Sequence, residues 1–245
     1  MAEYFRIEYE FDRSRVHQRI AERLLQPGSD YICVADGVVM NTANRNPDYL
    51  RAVNSGMFSI CDSGYVPLYI RLLHGERYGQ YTGSQIFADI VGSRKYRMAF
   101  LGGSRRVLDG LRQRLSAENP AIANMLFHEL PFCNVEEFDY PAIARMIEAD
   151  GADIIWVALG APKQEMFMSN LKKELGHGVM IAVGAVFKFY SGEDVARAPE
   201  WMVRNHLEFI HRIFKEPGKQ LRRCFWIVRT LPGLLWREKK AKKEK

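Results

Sequence analysis

Three stretches of this chain repeat one local pattern, in which a run of apolar residues leads into a glycine-containing loop. They are KYRMAFLGGS, followed by a predicted helix at 107–117; ADIIWVALGAPKQE, followed by a helix to about residue 175; and GVMIAVGAVFKFYSG, which ends in a glycine-punctuated turn. Continuous apolar strands that alternate with helices indicate a parallel sheet covered on both faces. We therefore expect an α/β fold with a mostly parallel sheet and helices on both faces.

The first third of the chain yields further predicted elements. Residues 1–30 are a charged lead-in with one short helix near 14–25, and the apolar, β-rich residues 31–40 predict a strand. Further along, the pattern predicts a polar break at 41–47, a helix at 48–54, a strand at 57–61 and a helix at 66–73.

Ligands of parallel sheets bind outside the carboxyl ends of the strands. The polar and glycine-containing segments that follow predicted strands should therefore share one edge of the sheet. These segments are residues 41–44, 62–64, 102–104 and 160–164.

The pattern changes near Ala198, after which no strand–glycine–helix unit recurs. We expect an α/β domain at 1–197 and a basic appendage at 198–245, made of two or three amphipathic helices broken near 217–218 and 232–233. The basic and aromatic side chains of this appendage suit anionic lipid headgroups. Nucleic acid would accept the same patch, and a plain solvated surface helix is the third interpretation.

Charge and cysteine usage narrow the class of protein. The formal net charge is +6, and residues 237–245 hold six basic and two acidic side chains. Neither a signal peptide nor a run of about 18 apolar residues is visible, so we expect a chain that lies on a membrane without crossing it. The four cysteines form no CxxC pair, so we expect buried free thiols in a reducing compartment instead of a zinc site. They are Cys33, Cys61, Cys133 and Cys224.

Asp62 is the first candidate functional residue. It follows an apolar strand and stands beside Gly64, where a general base for sugar transfer would be useful. The alternative is an aspartate that only caps the helix expected at 66–73.

Two glycine loops are the next candidates. Gly102 and Gly103 would let backbone N–H groups approach a phosphate, although they are equally explained as a tight strand-to-helix turn. Gly160 and the following Lys163 and Gln164 would place polar side chains at the edge of the sheet, or would simply start a helix behind a proline.

Taken together, these segments resemble the WecG/TagA/CpsF glycosyltransferases, family 26, over about residues 34–223. The resemblance rests on ADIIWVALGAPKQE, GAVFKFYSGEDVARAPEW and LEFIHRIFKEPGKQLRR, with support from YTGS and LGG. It implies a Rossmann-like α/β fold and an inverting enzyme that needs no metal and no cofactor.

The activity implied by the resemblance is sugar transfer in cell-surface polysaccharide synthesis. The donor would be a UDP-sugar, commonly of N-acetylmannosamine or its uronic acid, and the acceptor an undecaprenyl-diphosphate-linked sugar. The enzyme would be cytoplasmic and held peripherally on the inner face of the cell membrane by its C-terminal appendage. Nucleic acid would not be a partner, and the sequence leaves a homo-oligomer open.

The resemblance also implies roles for individual residues. Asp62 would be the general base, with Thr42 and Asn44 near the nucleotide and sugar and Gln164 as a loop glutamine at the substrate. Phe132 is a further candidate contact. The basic residues of the appendage that would bind the diphosphate are Arg212, Lys219 and Arg222.

The chain departs from the family pattern at three places. The segment between Asn44 and Asp62 is shorter than usual, and Gln80 stands where the family has an arginine that Arg77 would replace. Lys188 stands where the family has an aspartate between two phenylalanines. This cation predicts an acidic donor or acceptor sugar, unless it points to solvent as most lysines do.

Two other functions compete. A Rossmann-type dehydrogenase or methyltransferase would carry a full glycine fingerprint after its first strand, and the chain offers only Asp36-Gly37 there. A non-enzymatic membrane-binding or nucleic-acid-binding protein would explain the basic tail, but it would have no need of the polar loops.

Overall fold

The computed structural model describes residues 1–192 and 217–244; in the second range, side chains are described at position 218 and from 225 to 242. Eight strands of this part of the chain form one sheet. They are β1 (Ala2–Tyr4), β2 (Ile7–Tyr9), β3 (Gly28–Ala35), β4 (Phe58–Cys61), β5 (Met98–Gly102), β6 (Leu126–His128), β7 (Ile154–Ala158) and β8 (His177–Ala182).

The described helices connect and cover these strands. They are α1 (Arg13–Leu24), α2 (Gly37–Ala43), α3 (Pro47–Asn54), α4 (Val66–His74), α5 (Gly83–Ser93), α6 (Arg105–Glu118), α7 (Tyr140–Asp150), α8 (Lys163–Leu171), α9 (Val186–Ser191) and α10 (Pro217–Glu244).

The sheet has the order β1-β2-β4-β3-β8-β7-β5-β6, and its pairings are parallel except between β1 and β2. Apolar side chains of α2, α3, α4, α7, α8 and α10 pack against one face, and those of α1, α5, α6 and α9 against the other. The predicted α/β fold, a mostly parallel sheet with helices on both faces, is confirmed.

Strand β7 shows why the apolar runs form this sheet. Trp156 is fully buried in the core on one face, while its neighbours Ile155 and Val157 are fully buried in the core on the other. Burying one such side chain stabilises the fold by about 1.5–3 kcal/mol. A strand with alternate residues in two cores must therefore be apolar throughout.

The helix expected near 14–25 is present as α1, but two strands in the lead-in at residues 1–30 were not predicted. Strands β1 and β2 form a hairpin that extends the sheet beside β4. Its turn residues Phe5 and Arg6 have φ of 51° and 64°, the left-handed backbone that a tight two-residue hairpin turn needs. Neither phenylalanine nor arginine is typical of such a turn, so the hairpin could not be predicted from the sequence pattern.

The strand expected at 31–40 ends earlier, at Ala35, and the residues after it are helical. The carboxylate of Asp36 accepts hydrogen bonds from the backbone N–H groups of Val38 at 2.8 Å and Val39 at 2.9 Å. This N-cap starts α2 and outweighs the β-propensity of the two valines. The predicted polar break at 41–47 is consequently part helix.

The break expected at 232–233 is absent, because α10 runs through Pro232 and Gly233. Its inner side is buried at Leu234 and Glu238, and α10 packs against α2 and α4. Tertiary packing therefore outweighs the local cost of a proline in the helix. The other predicted boundary, at 217–218, coincides with the first residue of α10.

Among the described residues, no helix is both long enough and apolar enough to cross a bilayer. Cys33 and Cys61 are free and buried as expected, whereas Cys133 is free but only half-buried.

Candidate functional site

The candidate site lies along the carboxyl edge of the sheet, where β3, β4, β5, β7 and β8 all end. The helices that follow the neighbouring strands β7 and β5 pack on opposite faces of the sheet. Helix α8 follows β7 on one face, and α6 follows β5 on the other. Such a reversal opens a crevice between the loops of an α/β sheet.

Asp62 follows β4 directly and is half-buried at this edge, outside the core. Its Oδ1 accepts a hydrogen bond of 2.9 Å from the backbone N–H of Gly83, the first residue of α5. Its backbone carbonyl accepts a bond of 2.8 Å from Nε2 of Gln80. The carboxylate is therefore held in one orientation at the positive end of a helix.

Gly102 and Gly103 form the loop between β5 and α6. Their φ angles are 93° and 78°, and a Cβ on Gly102 would lie 2.8 Å from the carbonyl oxygen of Ala158. Only glycine fits this close approach to the end of β7. The loop ends at Ser104, whose side chain caps α6.

The loop after β7 is fixed from within. The backbone N–H of Gly160 donates to Oε1 of Gln164 at 3.0 Å, and Nε2 of Gln164 donates to Oε1 of Glu165 at 2.9 Å. The Gln164 side chain is 5% exposed. Both ends of its amide are thus bonded within the protein, which makes it a brace for the loop.

Glu165 is fully buried behind this loop and has a second partner, because the hydroxyl of Tyr49 donates to its Oε2 at 2.9 Å. Burial raises the pKa of Glu165 to about 7, and the hydrogen bonds from Gln164 and Tyr49 partly oppose that rise. The carboxyl group therefore changes charge near neutral pH.

Asp62, Gly103 and Gly160 follow β4, β5 and β7, which run parallel in one sheet, so all three lie at its carboxyl edge. A Cβ on Gly83 would lie 3.7 Å from Val186 at the start of α9, and one on Gly184, two residues earlier, would lie 3.6 Å from Oε1 of Gln164. The predicted sharing of one edge by the segments at 62–64, 102–104 and 160–164 is thereby confirmed.

The segment at 41–44 was expected to be a loop at this edge, and that expectation is wrong. Thr42 lies within α2 and is half-buried, and Asn44 is the residue that ends this helix. The amide of Asn44 donates to the carbonyls of Phe5 at 2.8 Å and Met40 at 3.0 Å. Its donors therefore tie α2 to the N-terminal hairpin.

Lys163 is directed toward the loop after β6. Its ammonium donates to the carbonyl of Cys133 and lies 4.9 Å from the ring centre of Phe138 and 5.6 Å from that of Phe132. Phe132 itself is fully exposed at this end of the sheet. The two candidates are therefore neighbours, separated from Asp62 by the width of several strands.

Arg77 and Lys188 lie apart from these contacts. Arg77 is exposed and lines a surface cavity of about 390 Å³ beside Tyr9 and Phe11 of the N-terminal segment. Lys188 is exposed on α9. Of the two residues predicted to replace the family arginine, Gln80 is the one in contact with Asp62.

Part of the predicted site lies outside the described residues. Arg212 belongs to the range 193–216. The backbone of Lys219 and Arg222 is part of α10, but their side chains are not among those the structure describes.

Two features of the edge escaped the sequence-based prediction. Thr82 and Gln85 form a capping box that starts α5 and presents Gly83 to Asp62. The spacing Thr-x-x-Gln is a known helix-start signal and could have revealed it. The pairing of Tyr49 with Glu165 spans 116 positions, and nothing local in the sequence points to it.

A comparison with known proteins identifies the family of this chain. The family model described as "Glycosyl transferase WecG/TagA/CpsF family" matches residues 6–245. The chain belongs to this family. It is therefore a glycosyltransferase, and the alternatives of a dehydrogenase, a methyltransferase or a non-enzymatic binding protein are set aside.

Two curated relatives of this WecG/TagA/CpsF enzyme carry the same name, N-acetylglucosaminyldiphosphoundecaprenol N-acetyl-beta-D-mannosaminyltransferase. The protein from Bacillus subtilis (strain 168) is 28% identical over 200 residues, covering 77% of this chain and 76% of the relative. The protein from Bacillus spizizenii (strain ATCC 23059 / NRRL B-14472 / W23) is 26% identical over 216 residues, covering 87% and 81%.

Proposed function

We propose that this enzyme transfers an N-acetylmannosamine-like sugar or its uronic acid from a UDP donor to an undecaprenyl-diphosphate-linked sugar. The names of the two relatives support the transferred sugar and the lipid-linked acceptor. The observation that carries the mechanism is the carboxylate of Asp62, held by Gly83 at the same edge of the sheet as the glycine loops.

In the proposed mechanism, Asp62 removes the proton of the acceptor hydroxyl as its oxygen attacks the anomeric carbon. The bond from this carbon to the diphosphate breaks on the opposite side, so the anomeric centre is inverted and UDP leaves. The charge on the leaving UDP would be met by backbone N–H groups at the loop of Gly102 and Gly103 and by the basic appendage residues. No metal is required in this scheme.

We further propose that the enzyme works at the cytoplasmic face of the membrane, with residues 198–245 as the attaching part. Phe225, Val228 and Trp236 of α10 are 60%, 70% and 67% exposed. Exposed aromatic side chains among arginines and lysines are typical of helices that lie in the membrane interface.

The direct test is turnover. The purified protein is incubated with a panel of UDP-sugars and a lipid-diphosphate-linked N-acetylglucosamine acceptor, and UDP release is measured. Comparing uronic with neutral donors in the unaltered enzyme and in Lys188→Ala tests whether Lys188 selects an acidic sugar. Faster turnover of neutral donors, unchanged in Lys188→Ala, would reject that idea. Absence of turnover with every donor would reject the proposed function.

Asp62→Asn is the sharpest variant. The asparagine oxygen can still accept the bond from Gly83, so the fold should be kept while the base is lost. We expect kcat to fall by about 10²–10⁴-fold, with UDP affinity nearly unchanged. Asp139→Asn, which alters a capping aspartate of α7 in the same way, should leave kcat intact. Equal kcat for Asp62→Asn and the unaltered enzyme would rule out Asp62 as the base.

A further inference from the structure

The exposed apolar side chains of the described residues are concentrated on two helices. Nine large apolar residues are exposed in this part of the chain, and six of them lie on α4, its N-cap or α10. They are Tyr65, Leu68 and Leu72 near and on α4, and Phe225, Val228 and Trp236 on α10. A surface of this kind marks a contact with a membrane or another molecule.

Helix α4 is apolar on two sides. Val66 and Ile70 are fully buried against the sheet. Tyr65, Leu68 and Leu72, at spacings of three and four, share another side and are 40%, 44% and 73% exposed. Packing against the sheet explains only the side with Val66 and Ile70. The apolar side with Tyr65, Leu68 and Leu72 indicates a contact with a further apolar partner.

The two helices form one continuous surface. Helix α10 packs against α4, His74 Nε2 lies 3.0 Å from Oε1 of Glu238, and Lys242 donates to the carbonyl of Leu73 at 2.8 Å. Glu238, the acidic residue of this contact, is buried. Six exposed positions near it are basic, namely Arg71, Arg229, Arg237, Lys239, Lys240 and Lys242, and Glu76 beside His74 and Lys242 is an acidic exception.

We propose that α4 is a second membrane-contact helix, whose residues Tyr65, Leu68 and Leu72 enter the interface of an anionic bilayer beside α10. Apolar side chains surrounded by arginine and lysine match the layered chemistry of acyl chains beneath anionic headgroups. This inference rests on the proposed function, because it gives the lipid-linked acceptor a route to the site. Tyr65 is three residues from Asp62, so a bilayer touching α4 brings the lipid diphosphate close to the base.

The test is vesicle co-sedimentation of the full chain with phosphatidylcholine vesicles, with and without phosphatidylglycerol. We expect Leu72→Glu to lower the partition coefficient for the anionic vesicles about tenfold or more. It replaces an apolar side chain that would enter the bilayer by one with the same charge as the lipid headgroups. Leu72→Phe should retain binding. The matched control is Leu25→Glu, because Leu25 is 88% exposed at the end of α1, which packs on the opposite face.

Equal partitioning of Leu72→Glu and Leu25→Glu would overturn the proposal. The proposal would also fail if Leu72→Glu changed the mass of the protein in solution, measured by sedimentation, but not its partitioning into vesicles. That result would mean that the exposed side of α4 binds a second copy of the chain. Equal binding of the unaltered protein to vesicles with and without phosphatidylglycerol would show that the contact does not depend on anionic lipid.

Activity separates this proposal from the proposed function. Leu72→Glu should turn over a short-chain, water-soluble acceptor normally and be slow only on the full-length acceptor in vesicles. If the unaltered protein shows no transferase activity while its vesicle binding still depends on Leu72, the proposed function fails and the membrane contact stands.

Discussion

At the scale of single residues, Glu165 is the most unusual group near the site. It is fully buried, and it receives hydrogen bonds from Tyr49 and Gln164 but contacts no cation among the described residues. A charged carboxylate accepts both bonds, whereas a protonated one must find an acceptor for its own hydrogen. Gln164 bonds to both Glu165 and the backbone of Gly160. The charge of Glu165 should therefore affect the conformation of the Gly160 loop.

Glu165 should make the stability of the protein depend on pH. Its pKa is raised from 4.5 to about 7, so the folded state retains this proton at pH values where the unfolded chain has lost it. The contribution is complete below pH 4.5 and is lost as pH rises to about 7, on the order of 3 kcal/mol in total. The free energy of unfolding, measured with urea at several pH values, should fall less steeply between pH 4.5 and 7 in Glu165→Gln than in the unaltered protein. The same pH dependence of the unfolding free energy in both proteins would contradict the raised pKa.

At the scale of elements, one buried carboxylate, that of Glu238, contributes to the attachment of α10. Oε2 of Glu238 accepts the backbone N–H of Phe5 at 2.8 Å, and Oε1 lies 3.0 Å from Nε2 of His74. Glu238→Ala would leave a buried N–H without a partner, which costs about 1–3 kcal/mol. We expect faster amide hydrogen exchange in α10 and in the hairpin of β1 and β2, with the central strands unchanged.

Glu238→Gln provides the control for this change, because its oxygen can still accept from Phe5 while the charge is lost. It should protect α10 better than Glu238→Ala does. Exchange that is equally slow in all three proteins would show that Glu238 does not hold the helix.

The same scale shows what the sequence could predict. Strand β4 and helix α3 lie within one residue of their predicted bounds, because periodicity reports burial directly. The hairpin of β1 and β2 and the continuity of α10 were missed, since each depends on packing against distant elements. The site follows the same division: the positions of the glycine loops were predictable, whereas the engagement of Asn44 by Phe5 was not.

At the scale of the whole molecule, the appendage and the sheet domain are joined more closely than a simple tail would be. Helix α10 contacts α2, α4 and the N-terminal hairpin, and Asn41 of α2 donates to Thr230. Helix α4, which meets α10, begins four residues after Asp62. A chain without residues 199–245 should therefore lose more than the proposed membrane attachment.

Truncation after Ala198 tests this expectation. We expect the shortened protein to keep its α/β circular dichroism, because the described sheet ends at β8. It should lose vesicle binding and at least about tenfold in kcat/KM on a short-chain acceptor, since the removed basic residues are those proposed to stabilise the charge of the leaving diphosphate. Leu72→Glu is the matched comparison, because it should weaken vesicle binding alone. Full activity of the truncated enzyme on the short-chain acceptor would show that the appendage serves only for attachment.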